Sequence, residues 1–485
     1  MIRRNSLLLL LLAAFSSALA FQEVPLSRKL NSQEDTQLAI AQDSIILGLK
    51  EYLGYVKRYH PVVKQANLIL EEGQANLLKA RGGFDPKIDV DYDRKEFKGT
   101  EYYDELYGTF KIPTWYGVEF RAAYERNEGS FLDPSLTVPD DGLYSVGASV
   151  QLLEGFLIND RMATLRQAKL FREQTQSERE LLVNEALFDA TDVYFDWWQA
   201  AQQRNLYQNI LVNAKNRFEA IKKGVERGYK APIDSIEARI AYRKRELGLQ
   251  QANLDFIKAR LKLSNFIWID EFPVQLRDGT YPQNDLETDI DVALEIMGQA
   301  LNMFNVDNHP KVLALQLKRE QIDVDRRLKA NKLLPKLSLS YDAISPEWNE
   351  NYDLGEYKAG LTFSTPLFLR KERGDLQLAR IKLQDAEFDI LQTQLNIRNK
   401  VESNFIEINS YQDQTTLSTQ IVTDSQAMLA AEERRFELGG SSLFLINSRE
   451  QKLIENSLKR IEIIGKLLNA KASLFNSLAI VPENL

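Results

Sequence analysis

Between about residues 160 and 225, apolar side chains return at helical spacing: Leu182, Ala186, Val193, Trp197 and Ala200, then Ala214, Phe218, Ile221 and Val225. Gaps of three, four and seven place them on one stripe of an α-helix. The stretch contains no proline and a single glycine, Gly224, near its end. At 1.5 Å of rise per residue the predicted helix is about 100 Å long. That is well beyond globular length and suits a coiled-coil-like rod. A second run, from about 372 to 438, carries Ala379, Leu383, Ala386, Ile390, Ile397 and Val401 at the same spacing. Each run meets a glycine, Gly228 or Gly439, and then a returning helical pattern. The first return has Ile240, Leu247, Leu254, Leu261 and Trp268 at strict sevens; the second has Ile454, Ile461, Leu468 and Phe475. A seven-residue repeat in a 3.6-residue helix supercoils to the left. Two antiparallel helical hairpins that twist around neighbours are therefore predicted, with Trp197 and Trp198 as packing residues.

Other segments alternate with period two. Ile88, Val90 and Tyr92 interleave with Asp89, Asp91 and Asp93, and Leu337, Leu339 and Tyr341 with Ser338, Ser340 and Asp342. Val146, Ala148, Val150 and Leu152 interleave with Gly147, Ser149 and Gln151, and Ala359, Leu361 and Phe363 with Gly360, Thr362 and Ser364. Apolar residues alternating with small or acidic ones suit strands with lipid on one side and a wet lumen on the other. A soluble sheet over a core gives the same pattern. Four strands close no useful barrel, and only closed barrels present strands to lipid. Insertion in a membrane would thus require strands from several copies of the chain. A further alternating stretch, about 98 to 140, turns at Pro113 to Gly117. It reads as an external hairpin in preference to two additional barrel strands.

The chain is a tandem duplication. Tyr59-His60-Pro61-Val62-Val63 returns as Asn308-His309-Pro310-Lys311-Val312, and the segment around Pro86 returns around Pro335, both 249 positions on. Tyr144 and Tyr357 correspond at 213 and the two turn glycines at 211, so the first repeat carries an insertion of 36 residues between its strands. The chain's two histidines occupy equivalent positions. With Pro61 and Pro310 beside them, they read as helix starts, because proline at the first helical position loses no needed N–H.

Charge and composition narrow the function. Arg3 and Arg4, the apolar run Leu7 to Phe15, and Ala18-Leu19-Ala20 form an export signal. Its apolar run is too short to span a bilayer as a helix. Removal of the leader would take the formal charge from −8 to −10. Cysteine is absent and only two histidines occur, which excludes thiolate metal sites, disulfides and lipid attachment through cysteine, and argues against a histidine-built zinc site. No basic stripe offers itself to nucleic acid. No nucleophile, acid/base pair or cofactor motif is present, so no enzyme activity is expected. Five methionines and two histidines form no soft-metal ladder. The predicted organisation is a leader at 1–20, an extension at 21–47, a first repeat at 48–268 with strands at about 87–152 and long helices at about 160–268, a linker at 269–307 forming a small equatorial side domain, and a second repeat at 308–480 with strands at about 336–368. One short helix is expected from Asp291 to Phe304.

Over about residues 48 to 480 this pattern resembles the TolC-type outer-membrane efflux proteins. The repeat openings carry the likeness, as do the turns Arg227-Gly228-Tyr229-Lys230-Ala231-Pro232-Ile233-Asp234 and Arg435-Phe436-Glu437-Leu438-Gly439-Gly440-Ser441-Ser442-Leu443. The resemblance implies a mostly α protein with long helical hairpins forming an α-barrel, and strands contributing to a trimeric β-barrel in outer-membrane lipid. It implies a homotrimer acting as the passive exit duct of a tripartite efflux or type I secretion system, joined to an inner-membrane pump through a periplasmic adaptor, and no cofactor. The usual barrel takes four strands per copy. Asp234 stands six residues after its turn glycine, as the family often has it, whereas Leu445 stands at that place in the second repeat. Arg227, Gly228, Lys230, Asp234, Arg434, Arg435, Glu437 and Gly439 are the candidate gate and adaptor tip. Symmetric rings of acids there would favour cations. The competing expectation is an exported coiled-coil spacer or adhesin with a soluble β head.

Overall fold

The computed structural model describes residues 45–296, 304–348 and 352–485. The predicted leader and nearly all of the extension at 21–47 lie outside them. Helix α1 (Leu49–Tyr59) leads into α2 (Pro61–Arg81). Four strands follow, β1 (Lys87–Phe97), β2 (Thr100–Pro113), β3 (Val118–Glu128) and β4 (Leu143–Gln151), then the long α3 (Asp160–Glu226) and its return α4 (Pro232–Ser264). The second repeat supplies α5 (Pro310–Asn331), β5 (Lys336–Ser345), β6 (Tyr357–Ser364), the long α6 (Arg370–Glu437) and its return α7 (Leu443–Ser477). The long helices have 67 and 68 residues. The return of the first repeat is shorter than its sevens suggest. It stops at Ser264, and Trp268 lies in a two-residue strand paired with Phe272–Pro273.

All six long strands form one antiparallel sheet in the order β6-β5-β4-β3-β2-β1. The expectation of an external hairpin therefore fails. Strands β2 and β3 are hydrogen-bonded between β1 and β4 over most of their length. The sequence showed a good hairpin but gave no information about what its outer edges would pair with. Pairing register fixes two faces. Ile88, Phe110, Ala122, Val146, Ala343 and Tyr357 form one cross-strand row. The adjacent row is Lys87, Lys111, Arg121, Gly147, Asp342 and Lys358, pointing the other way.

The helices form a single layer below the sheet. Next to the sheet its order is α2, α3, α5, α6; further away it is α4, α3, α7, α6. The principal core sits between these tiers. Leu49, Tyr52 and Leu53 of α1 meet Tyr194 and Trp197 of α3, Phe256 and Leu263 of α4, and Leu468 and Phe475 of α7. The described part of the linker shares this core through Leu286, Ile290 and Leu294 instead of building one of its own. Its helix is a single turn, Ile290–Ala293. The later part of the expected helix falls in 297–303, outside the described residues. His60 caps α2, its Nδ1 accepting the Val62 N–H at 3.4 Å, and His309 caps α5, accepting the Lys311 N–H at 3.1 Å. Burial pushes both imidazoles down, His309 to about 4, so they remain neutral acceptors.

Candidate functional site

The two helical hairpins end side by side. Gly228 and Gly439 take left-handed φ values of 76° and 80°, which L-residues resist. The Tyr229 N–H reaches the Gly224 carbonyl at 2.9 Å and the Gly440 N–H that of Arg435 at 2.8 Å, the same Schellman closure twice. The return helices then start differently. Helix α7 begins on Ser442, whose hydroxyl accepts the Leu445 N–H at 3.4 Å. Helix α4 begins on Pro232 with Asp234 in its first turn, where a carboxylate meets the positive end of the helix dipole. The departure at Leu445 thus accompanies a change of capping chemistry.

The structure brings the two predicted turns together. Phe218, Ile221 and Ala238 from the first hairpin pack with Phe436 and Leu443 from the second. Lys230 Nζ sits 4.2 Å from the centre of the Phe436 ring. Arg435 makes an ion pair with Glu432 at 3.8 Å. Among the described residues, Arg227, Asp234, Arg434 and Glu437 form no ion pair within their own chain. Around them Tyr229, Ile233, Leu438 and Phe444 are exposed. The tip is an apolar surface studded with unpaired charge.

One group of residues escaped the sequence reading. Just above the tip, Arg217 of α3 bonds Glu433 of α6 at 2.8 Å and Glu450 of α7 at 3.1 Å, while Arg245 of α4 bonds Glu450 at 3.3 Å and Gln451 at 2.9 Å. Glu450 is 2% exposed and Arg245 7%. A second carboxylate, Glu432, is buried and bonded by the Ser441 hydroxyl, with Arg449 at 3.8 Å. The signal was present: Leu443, Glu450, Ser457, Ile464 and Lys471 form a second series of sevens on α7, all buried. A charge on such a seam must find a partner across it.

The layer is open at both sides, and each side is apolar. Helix α4 exposes Ile233, Ile236, Ile240, Leu247, Leu254, Ile257 and Leu261. At the other side, α6 exposes Leu378, Phe388, Leu391, Leu395, Leu417 and Ile421. The sheet is likewise open along β1 and β6, where Ile88, Val90, Leu361 and Phe363 are exposed. Long unpaired strand edges with apolar residues invite pairing with another chain. Among the described residues no helix is long and apolar enough to cross a membrane. The sheet instead carries an exposed apolar face with Phe110, Ile112, Phe120, Val146, Leu339 and Tyr341.

Comparison with known proteins gives this architecture relatives. Residues 306–479 match the family model "Outer membrane efflux protein". No curated protein matches the chain in sequence. Among solved structures, the outer membrane protein VceC of Vibrio cholerae is similar with a TM-score of 0.63 at 13% identity, over 89% of this chain and 96% of that one. The CmeC outer membrane channel of Campylobacter jejuni gives 0.62 at 14%, over 94% of each chain. The open state of the MtrE outer membrane channel of Neisseria gonorrhoeae gives 0.61 at 12%, over 94% of this chain and 96% of that one. At such identities the likeness is one of fold.

Proposed function

We propose that the protein is the outer-membrane exit duct of a tripartite efflux or type I secretion system, because residues 306–479 match the outer membrane efflux protein family model and about nine-tenths of the chain shares the fold of solved outer-membrane channels. Family and neighbours are channels, not enzymes. The observation that carries the proposal is the matched pair of open sides. The edges β1 and α4 belong to the first repeat, and β6 and α6 to the second. One copy's first side therefore meets the next copy's second side in a head-to-tail contact, which closes a ring when the rotation allows. Three copies make the duct. The apolar sheet face lies in lipid, and the helical layer becomes a tube through the periplasm. A soluble β head would leave that sheet face without cover.

The tip is the gate and the docking surface for a periplasmic adaptor, which links the duct to an inner-membrane pump. In a ring, the three copies of Asp234, which lack an ion partner in their own chains, approach one another and the Arg227, Lys230, Arg434 and Arg435 side chains. The acids and cations hold the closed tip by charge, and Glu437 adds to the acidic ring. Conductance of the purified channel tests this: Asp234→Ala should conduct more than the parent at low salt. The difference should shrink at 1 M salt, where the Debye length is about 3 Å. Equal conductance at both ionic strengths would remove Asp234 from the gate.

A further inference from the structure

The inserted hairpin is built into the sheet and onto the helices below it at three levels. Its strands are paired on both sides over most of their length: β2 faces β1 and β3, and β3 faces β2 and β4. Its inner turn is seated on the helices. Trp115 stacks on Phe84 with ring centres 5.7 Å apart and lies under the Arg166 guanidinium, against Leu77, Leu165, Ile158 and Met162. Its β3 strand is tied to the second repeat. Arg121 grips the buried Asp342 of β5 with two hydrogen bonds, one of them Nε to Oδ1 at 2.7 Å, reaching across β4 at Gly147. Glycine is required at the crossing, because a β-carbon there would collide with the Tyr341 carbonyl and Asp342. From the helical side, Arg161 of α3 bonds Glu119 of β3 at 3.1 Å.

From this we infer that each copy supplies six strands, so that three copies close an eighteen-stranded barrel whose mouth is as wide as the helical tube beneath it. The inference rests on the trimeric duct proposed above. The free edges agree with it: β1 and β6 run in opposite directions within a fully antiparallel sheet of six. Joining β6 of one copy to β1 of the next keeps every pair antiparallel and the total even, as single-wall barrels require.

Widths point the same way. Six strands about 4.8 Å apart and tilted by about 40° cover roughly 38 Å of circumference. Four helices side by side at about 9 Å cover roughly 36 Å. Four strands would cover only about 25 Å and force a taper between the tiers. Three six-stranded sectors give a backbone diameter of about 36 Å, in the range of barrels that hold an aqueous channel. The lumen is lined by the polar row of Lys111, Arg121, Asp342 and Lys358. Cargo size is then limited at the helical tips and not at the membrane.

The native chain has no cysteine, so paired replacements read the strand order directly in outer membranes under mild oxidation. Ile88→Cys with Phe110→Cys, and Ala122→Cys with Val146→Cys, are facing partners and should each link within a chain. Ile88→Cys with Val146→Cys should not link, because two intervening strands hold them about 14 Å apart, twice the reach of a disulfide. Val90→Cys with Leu361→Cys or Phe363→Cys should link neighbouring copies into ladders ending at three. A strong Ile88–Val146 link without the other two would place the hairpin outside the wall and overturn the inference while leaving the trimer intact. Ladders ending at another number would overturn the count together with the trimeric reading.

Discussion

Helices α4 and α7 are the same element of the two repeats, and their strict sevens look alike in the sequence. Yet Leu247 of α4 is 68% exposed, whereas Leu468 of α7 is fully buried. The difference is position in the layer. Helix α7 lies between α3 and α6, while α4 packs on α3 and is open on its other side. A heptad stripe announces that a helix needs a partner; it does not say whether that partner is in the same chain. Here one repeat satisfies its stripe at home, and the other holds it out for a second copy.

The sharpest test of that contrast uses charge. Glu450→Ala on α7 strands Arg245 inside the layer and should destabilise the chain by about 3–5 kcal/mol. Asp234→Ala on α4 should cost no more than about 1 kcal/mol, the contribution of a carboxylate at the helix start. Chemical unfolding of the two variants, with the midpoint read by circular dichroism, compares them directly. Similar losses would mean that α4 is as enclosed within the chain as α7.

Truncating the two stripes should separate folding from assembly. Leu468→Ala should cost about 2–5 kcal/mol of chain stability. Leu247→Ala should leave the dissociated chain's unfolding midpoint almost unchanged but weaken the oligomer, seen as earlier dissociation on heating in detergent. Should Leu247→Ala instead unfold the monomer with the oligomer unaffected, the roles assigned to the two stripes are reversed.

The repeat openings differ in burial, and this supplies a pH test. His309 is held at about 4, below the ordinary 6.5, mainly because burial disfavours its charged form. As pH falls through 6.5 the unfolded chain takes up a proton that the folded chain refuses until about 4, so stability declines across that window. By pH 5 the loss from this group is about 2 kcal/mol. His309→Asn, which keeps a capping acceptor, should flatten the decline between pH 7 and 5. An unchanged slope would show that the imidazole is protonated without penalty. The smallest effect belongs to the turns: Gly228→Ala and Gly439→Ala should each cost about 1 kcal/mol, since both force alanine into a left-handed conformation. Equal stability of variants and parent would mean that the turns relax.

Much of the fold was legible because it is periodic. The long helices begin and end within about two residues of the predicted limits, 160–225 and 372–438, since neither run contains proline and each holds a single glycine, close to one end. The two turns followed from Gly228 and Gly439. The inserted hairpin was visible as alternation, but its place in the sheet lies in its backbone pairing with β1 and β4 and in the tie from Arg121 to Asp342, 221 residues away, neither of which alternation encodes. The tip residues from Arg227 to Gly439 could be placed by their turns. Glu450, Arg217 and Arg245 could not, because their pairing joins three helices, and a lone charge on a seam does not identify its partner.

The central claim, that the open sides of one chain are closed by another, is tested most directly by crosslinking between α4 and α6. Leu247→Cys combined with Leu417→Cys or Ile421→Cys places one thiol on each exposed stripe, at similar distances from the tips. Oxidised in intact cells, at least one pair should give a ladder of one, two and three chains confined to the outer membrane. Single chains throughout, or linked products found only in the soluble periplasmic fraction, would contradict it.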